Sequence, residues 1–174
     1  MQNIKVQFEN DEGRKLSGTL DMPKTPVTDY ALFAHCFTCT HNFKSATNIS
    51  RSLTDAGIAV LRFDFTGLGR SEGEFADTNF SSNVGDLLAA ARFLEQEYAA
   101  PTILVGHSLG GTAVLQAASS VPSAVAVATI GSPADPAHVT HLFGGAADQL
   151  EISGQADVNN GGRPFTVRKQ FLDD

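Results

Sequence analysis

The sequence predicts an α/β fold: a doubly wound, mostly parallel sheet led by an N-terminal antiparallel hairpin. Three observations carry that expectation. Four short runs are continuously apolar, as strands covered on both faces are; helical patterns separate the first three; and the first twenty-two residues instead alternate apolar with polar. With 174 residues, 42% of them hydrophobic, the chain can bury a sizeable core, which excludes a disordered segment. Nineteen acidic residues against twelve Lys and Arg give a net charge of −7. The basic residues are scattered, so nothing in the sequence offers a footprint for nucleic acid or an anionic membrane. The opening MQNIKVQFENDEGRK has no basic stretch followed by an apolar one, and no window approaches about eighteen consecutive apolar residues. A soluble, cytoplasmic chain is expected.

The elements follow in order. Residues 3–8 and 15–22 alternate around the turn-like Asn10-Asp11-Glu12-Gly13, which predicts a hairpin with one wet face, closed by Pro23 and Pro26. ALFAH (31–35) is the first buried run; IAVLRFDF, TILVGH and AVAVATIG repeat its character. Between the first two runs, residues 45–56 place Ala46, Ile49 and Leu53 on one helical face, with Gly57 as the stop. Between the second and third, Val84, Leu87, Leu88, Ala91 and Leu94 recur at helical spacing, with Ser81, Ser82 or Asn83 as the cap. After Gly106, Leu109, Thr112, Ala113, Leu115 and Gln116 mark a third, alanine-rich helix. Right-handed crossovers then wind the sheet twice. Residues 1–131 form this core and residues 132–174 an appendage. In the appendage Asp135 caps a short helix with Pro136 at its first position and Val139, Leu142 and Phe143 on its apolar side, and Asn159-Asn160-Gly161-Gly162 turns a hairpin over 155–171.

The chemistry concentrates in Gly106-His107-Ser108-Leu109-Gly110, a G-x-S-x-G immediately after a buried strand and immediately before a helix. A turn this sharp strains its central residue, and the flanking glycines are required because a Cβ there meets neighbouring elements. Ser108 then projects its hydroxyl above the carboxyl edge of the sheet as a nucleophile. The Leu109 N–H and the positive end of the following helix point at an oxyanion forming beside it. A second donor is expected from the loop His35-Cys36-Phe37-Thr38, with the Phe37 N–H as the chosen position. His107, adjacent to Ser108 in sequence, points to the other side of the turn, where a packing or hydrogen-bonding role is expected rather than base catalysis. Helix-start packing of a glycine-flanked serine is the plainer alternative, and the strand-turn-helix context argues against it.

With these residues in view the chain resembles the α/β-hydrolase superfamily over roughly residues 3–131: a leading hairpin, HCFT after the next strand, DFTGLGRSEG after the one following, and GHSLGG at the elbow. HCFTCTHNFKS, GSPADPAHVTHLF and the closing GGRPFTVRKQFLDD further resemble the hydrolase domain fused to an OsmC-like domain in some bacterial proteins. The resemblance implies a serine hydrolase that cleaves small carboxylic esters or thioesters through a Ser108 acyl-enzyme without a cofactor, and an OsmC-like domain as a partner in a longer parent chain.

Such chemistry needs a histidine base and an acid, which in this fold follow the serine in the order acid, then histidine. After Ser108 only His138 and His141 are available, with Asp135 the one acid before them. Residues this close on one segment do not reach a serine from separate strand ends, so the acid and base are expected outside this chain. Three readings stay open: a C-terminally incomplete fold, an atypical histidine, or a short non-catalytic protein acting through association. The first leaves an unpaired sheet edge and so predicts a homodimer or strand exchange.

Weaker constellations have plainer readings. Cys36 and Cys39 with His35 and His41 have zinc-like or redox-like spacing, yet two cysteines beside a buried strand serve packing more often. Asp64 to Gly73 carries three glycines after a strand, but no helix begins at them, so a loop held by Asp64 and Ser71 is preferred to a dinucleotide site. Asp135, His138 and His141 were assigned no metal.

Overall fold

Alternation at the N-terminus produces the hairpin of β1 (Gln2–Glu9) and β2 (Lys15–Met22), in register Val6 to Gly18 and Phe8 to Leu16. Val6 and Phe8 face inward while their neighbours stay in water. The computed structural model describes residues 1–36, 38–135, 137, 146–160 and 163–171.

The apolar runs become β3 (Asp29–Ala34), β4 (Ile58–Phe63), β5 (Ile103–His107) and β6 (Ala126–Ile130). The expected two-sided burial is corrected for β6, whose five residues are all exposed because, among the described residues, it lies at the edge of the sheet. The six-stranded order is β1-β2-β4-β3-β5-β6, antiparallel through β1, β2 and β4 and parallel from β4 to β6. Successive side chains on a strand point to opposite faces, so the sheet builds two cores. Ala31, Phe33, Val60 and Val105 pack on one face with Ala46 of α1 (Lys44–Asp55), flanked by Ile49 and Leu53 as the helical spacing predicts. Leu32, Leu61, Phe63 and Leu104 pack on the other with Leu87 and Leu94 of α2 (Phe80–Glu97) and Val114 of α3 (Leu109–Ala117). Each such leucine, fully buried, contributes on the order of 2 kcal/mol.

The cap of α2 is corrected. Asn79, not Ser81 or Asn83, is the N-cap: its Oδ1 accepts the Ser82 N–H at 2.8 Å, and Ser82 Oγ accepts the Asn79 N–H at 3.0 Å. A reciprocal box normally carries Glu or Gln at its third position, so serine there hid the signal. Asn83 lies one turn inside the helix and is buried.

Past β6 the described chain resumes with α4 (Ala146–Ser153), which the sequence did not announce, and the hairpin of β7 (Gln155–Asn160) and β8 (Arg163–Arg168). Asn160 pairs with Arg163, as the Asn-Asn-Gly-Gly signal requires; Gly161 and Gly162 lie outside the described residues. So do Pro136, Val139, Leu142 and Phe143 of the expected short helix. Phe165 and Phe171 pack on Phe75 with ring centroids 5.7 and 6.4 Å away, and Arg168 pairs with Asp77. The hairpin is thereby anchored on the 3₁₀ turn Phe75–Asp77, in the connection between β4 and α2.

The chain leaves β3 through α1 toward β4 on one side, and leaves the adjacent β5 through α3 toward β6 on the other. Connections that leave in opposite directions open a crevice between the carboxyl ends of β3 and β5. The conspicuous motif ends in that crevice.

Candidate functional site

Strand β5 runs into α3 through Ser108 alone, whose backbone takes φ 54° and ψ −126°. A non-glycine residue held there costs on the order of 1–2 kcal/mol. Its surroundings fix it: Ser108 donates its N–H to the Ile130 carbonyl at 2.9 Å, and its own carbonyl accepts the Gly111 N–H at 2.8 Å and the Ser132 hydroxyl at 2.9 Å. A Cβ at Gly106 would overlap the Gly110 carbonyl, and one at Gly110 would overlap the carbonyls of Ala34 and His35. Both glycines therefore permit contacts between strand, turn and helix that no other residue allows. The Ser108 side chain is half-buried and, among the described residues, has no hydrogen-bond partner. With Gly111 and Thr112 both donating to Ser108, the Leu109 N–H has no backbone acceptor in the first turn of α3.

Pairing of Ala34 with Gly106 sets the loop after β3 beside this turn. The cysteines there are corrected from packing thiols to a disulfide, Cys36–Cys39, with a Cα–Cα distance of 5.3 Å. The Cys39 N–H also donates to the Cys36 carbonyl at 3.1 Å, and Thr38 between them has φ 60°. Three residues of separation bring both sulfurs to one side of a tight turn, a geometry that spacing alone left open to zinc, redox or packing. Phe37, the expected second amide donor, lies outside the described residues.

Between loop and elbow a narrow cavity with room for about one water is walled by His35, Cys36 and Thr38 on one side and Leu109, Gly110 and Ala113 on the other. Phe65, Leu68 and Phe75 make the rest apolar, and Asn83 enters from α2. Its Oδ1 is buried without a hydrogen-bond partner.

The described histidines have other duties. His35 donates from Nδ1 to the Cys36 carbonyl at 2.8 Å, while Nε2 lies 3.5 Å from the Phe65 N–H. Burial pushes its pKa down to about 4, so it is a neutral support for the loop. His107 stacks on Phe43 at 6.4 Å, the packing role expected of it. His41 is buried, with Nε2 3.1 Å from Thr19 Oγ1 and Nδ1 at ion-pair distance, 2.8 Å, from Asp64. That Nδ1 contact lacks hydrogen-bond alignment.

Asp64 also accepts the His41 N–H at 2.7 Å and the Arg70 N–H at 3.1 Å, and Ser71 bonds the Asp64 carbonyl at 2.5 Å, the loop role expected of both. Burial raises the Asp64 pKa, but its bonds with His41 and Arg70 outweigh that and hold the carboxyl below its ordinary range. Next to it Arg62 donates to Asp21 at 2.7 Å and to the His41 carbonyl, and Ser50 bonds Asp21. This buried polar layer ties the β3 loop to β2 and β4. The signal for this layer in the sequence is the lone Arg62 inside an apolar run, which hydropathy alone does not reveal.

Asp135 Oδ1 accepts the Ala137 N–H at 2.8 Å, and the helix it was expected to cap lies outside the described residues. His138 and His141 lie outside the described residues. Among the described residues no group of three His, Cys, Asp or Glu side chains is placed to hold a metal, and no helix is long and apolar enough to cross a membrane.

Comparison with known proteins follows the same lines. An esterase domain from Rhodothermus marinus is 53% identical, covering 99% of this chain and 67% of that one at a TM-score of 0.74. Est1E from Butyrivibrio proteoclasticus, solved with ferulic acid, is 25% identical over 97% of this chain and 69% of its own, with a TM-score of 0.82. The mitochondrial palmitoyl-protein thioesterase ABHD10 of Rattus norvegicus is 38% identical over 90 residues, 52% of this chain and 29% of that protein. The chain thus spans less than a third of the length of that curated relative. The family described as serine aminopeptidase, S33, matches residues 38–150. With that match covering well over half of the sequence, on a sheet wound as the α/β hydrolases wind theirs, the chain belongs to the serine aminopeptidase S33 family of α/β hydrolases.

Proposed function

We propose that this α/β hydrolase cleaves esters or thioesters of small acyl groups with Ser108 as its nucleophile. The observation that carries the reading is the strained backbone of Ser108, which sets a half-exposed hydroxyl at the head of α3 beside an unpaired Leu109 N–H. Strain of this kind persists where the surroundings over-determine it, and it clusters at reactive positions. Ser108 Oγ attacks the substrate carbonyl and surrenders its proton to a base. The Leu109 N–H and the Phe37 N–H then hold the tetrahedral oxyanion. Collapse expels the protonated alcohol or thiol and leaves an acyl-serine, which water attacks to release the acid and restore the hydroxyl. The base comes from outside the described residues, since His35, His41 and His107 are engaged elsewhere; His138 and His141 are the candidates within this chain. The esterase and thioesterase activities named for the relatives support the bond class.

A fluorophosphonate probe with peptide mapping tests this, with Ser108→Ala as control and a short-chain aryl ester assayed in parallel. Labelling at Ser108 together with turnover is expected. A folded protein that neither labels nor turns over refutes it.

A second reading rests on β6, which among the described residues pairs only with β5, exposes all five of its residues and presents Val127 and Ile130 to solvent. An open edge of this kind templates pairing with another chain, so association of two copies through β6 competes with the catalytic reading. Solution mass decides: a monomer at every concentration removes it, and a dimer dispersed by Val127→Lys supports it.

A further inference from the structure

The Cys36–Cys39 bridge does little that a structural staple does. It joins residues only three apart, and the Cys39 N–H already donates to the Cys36 carbonyl at 3.1 Å. It therefore closes no long loop and adds little to global stability. What it constrains is local. Thr38, buried between the two cysteines, has φ 60°. A β-branched residue held in the left-handed region costs on the order of 1–2 kcal/mol, and such a backbone persists only while its surroundings over-determine it. The covalent bond across Thr38 is one of those constraints. The turn also faces the elbow: Cys36 and Thr38 wall the cavity opposite Leu109 and Gly110, in the loop expected to supply the second oxyanion donor. The two sulfurs are unequal as well, since Cys36 is buried beside the end of β3 whereas Cys39 is half-buried. A reductant arriving from solvent meets Cys39 first.

We infer that Cys36–Cys39 is a thiol–disulfide exchange site, opened by a dithiol that attacks Cys39, and that its opening turns down the reaction at Ser108. A thiolate of the dithiol bonds to Cys39 Sγ; the bridge breaks, and its electron pair passes to Cys36 Sγ, which takes up a proton. The second thiol of the dithiol, after losing its proton, displaces Cys39 as a thiolate. Two electrons have then moved, leaving two thiols on this chain and a disulfide on the partner. Freed of its covalent constraint, the Thr38 turn relaxes and the loop no longer presents its donor to the elbow. The short spacing and the Cys39 to Cys36 backbone bond keep the two thiols close, so an oxidising disulfide closes the bridge by the reverse steps. The hydrolase is thereby active under oxidising conditions and slow under reducing ones. The effect on hydrolysis rests on Ser108 as nucleophile; the exchange itself does not.

The test equilibrates the full chain in mixtures of reduced and oxidised dithiothreitol. Free thiols are trapped by alkylation and counted by mass, circular dichroism follows the fold, and the same samples are labelled at Ser108 with a fluorophosphonate. The bridge is expected to open in folded protein, labelling to slow by about 10²-fold in step with it, and both to recover on return to oxidised dithiothreitol. Glutathione disulfide then identifies the point of entry, with Cys39 of Cys36→Ser expected to be thiolated at least about 10-fold faster than Cys36 of Cys39→Ser. A bridge that opens only as the protein unfolds is a staple and overturns the inference. Opening without slower labelling overturns the switch, and equal thiolation of the two variants overturns Cys39 as the attacked sulfur. Oxidised protein that does not label at all is a different failure, that of Ser108 as nucleophile, and the exchange site is then decided by the thiol counts and the glutathione adducts alone.

Discussion

Breaking the Cys36–Cys39 bridge separates what the disulfide does for stability from what it does for the site. The cysteines stand three residues apart, so the bond closes a loop of only four residues. Chain entropy for so short a loop gives about 2 kcal/mol. In a chain of this length that lowers Tm by roughly 4–8 °C. The expected effect on reactivity is much larger. The bridge and the Cys39 to Cys36 backbone bond tie together the two residues that flank the proposed donor Phe37 in the sequence, and losing one oxyanion donor costs about 10²- to 10³-fold in rate. The assay is fluorophosphonate labelling of Ser108 with and without a water-soluble phosphine, alongside a thiol titration to establish that both sulfurs are free. Cys36→Ser/Cys39→Ser is the second arm, read by thermal unfolding and by labelling. Slow labelling of a protein still folded at the assay temperature is expected. Two titratable thiols with an unchanged labelling rate would refute the argument that this bridge positions the donor.

Ser108→Gly and Ser108→Ala should both abolish labelling, but the glycine variant should be more stable by about 1 kcal/mol in urea unfolding, because only glycine takes φ 54° without strain; equal stabilities would show that the elbow is not strained. Gly110→Ala drives a Cβ into the backbone carbonyls of Ala34 and His35, so a loss of about 3 kcal/mol or more and a large fall in labelling are expected, and a variant that melts like the wild type would contradict the packing described. His35 is neutral in the fold down to pH about 4 but protonates near 6.5 when unfolded. The unfolded chain therefore binds the extra proton, and stability is full above pH 6.5 and declines by about 3 kcal/mol as pH falls to 4. His35→Asn should flatten urea-derived stability over that window, and an equal slope in the variant would assign it to other groups.

Local chemistry wrote much of this protein into its sequence. The apolar runs of β3, β4 and β5 are strands buried on both faces, whereas the equally apolar run of β6 lies exposed; alternation in the first hairpin leaves it one wet face, and the spacing of Leu87, Leu94 and their neighbours marks a helix face. Gly106 and Gly110 around Ser108, between a strand and a helix, define the elbow, because nothing but glycine clears the backbone there. The tertiary structure alone decided what depends on residues distant in sequence. Pairing of Ala34 with Gly106 brings the β3 loop to the elbow. The link between Asp64 and His41 spans 23 residues and that between Arg62 and Asp21 spans 41, and no local periodicity records either. Asn79 became the cap of α2 because Ser82 answers it, which placed Asn83 inside the fold with an unpaired oxygen at the cavity. Sequence fixes which groups must be buried; the folded chain decides which of them meet, because that depends on register and crossover direction.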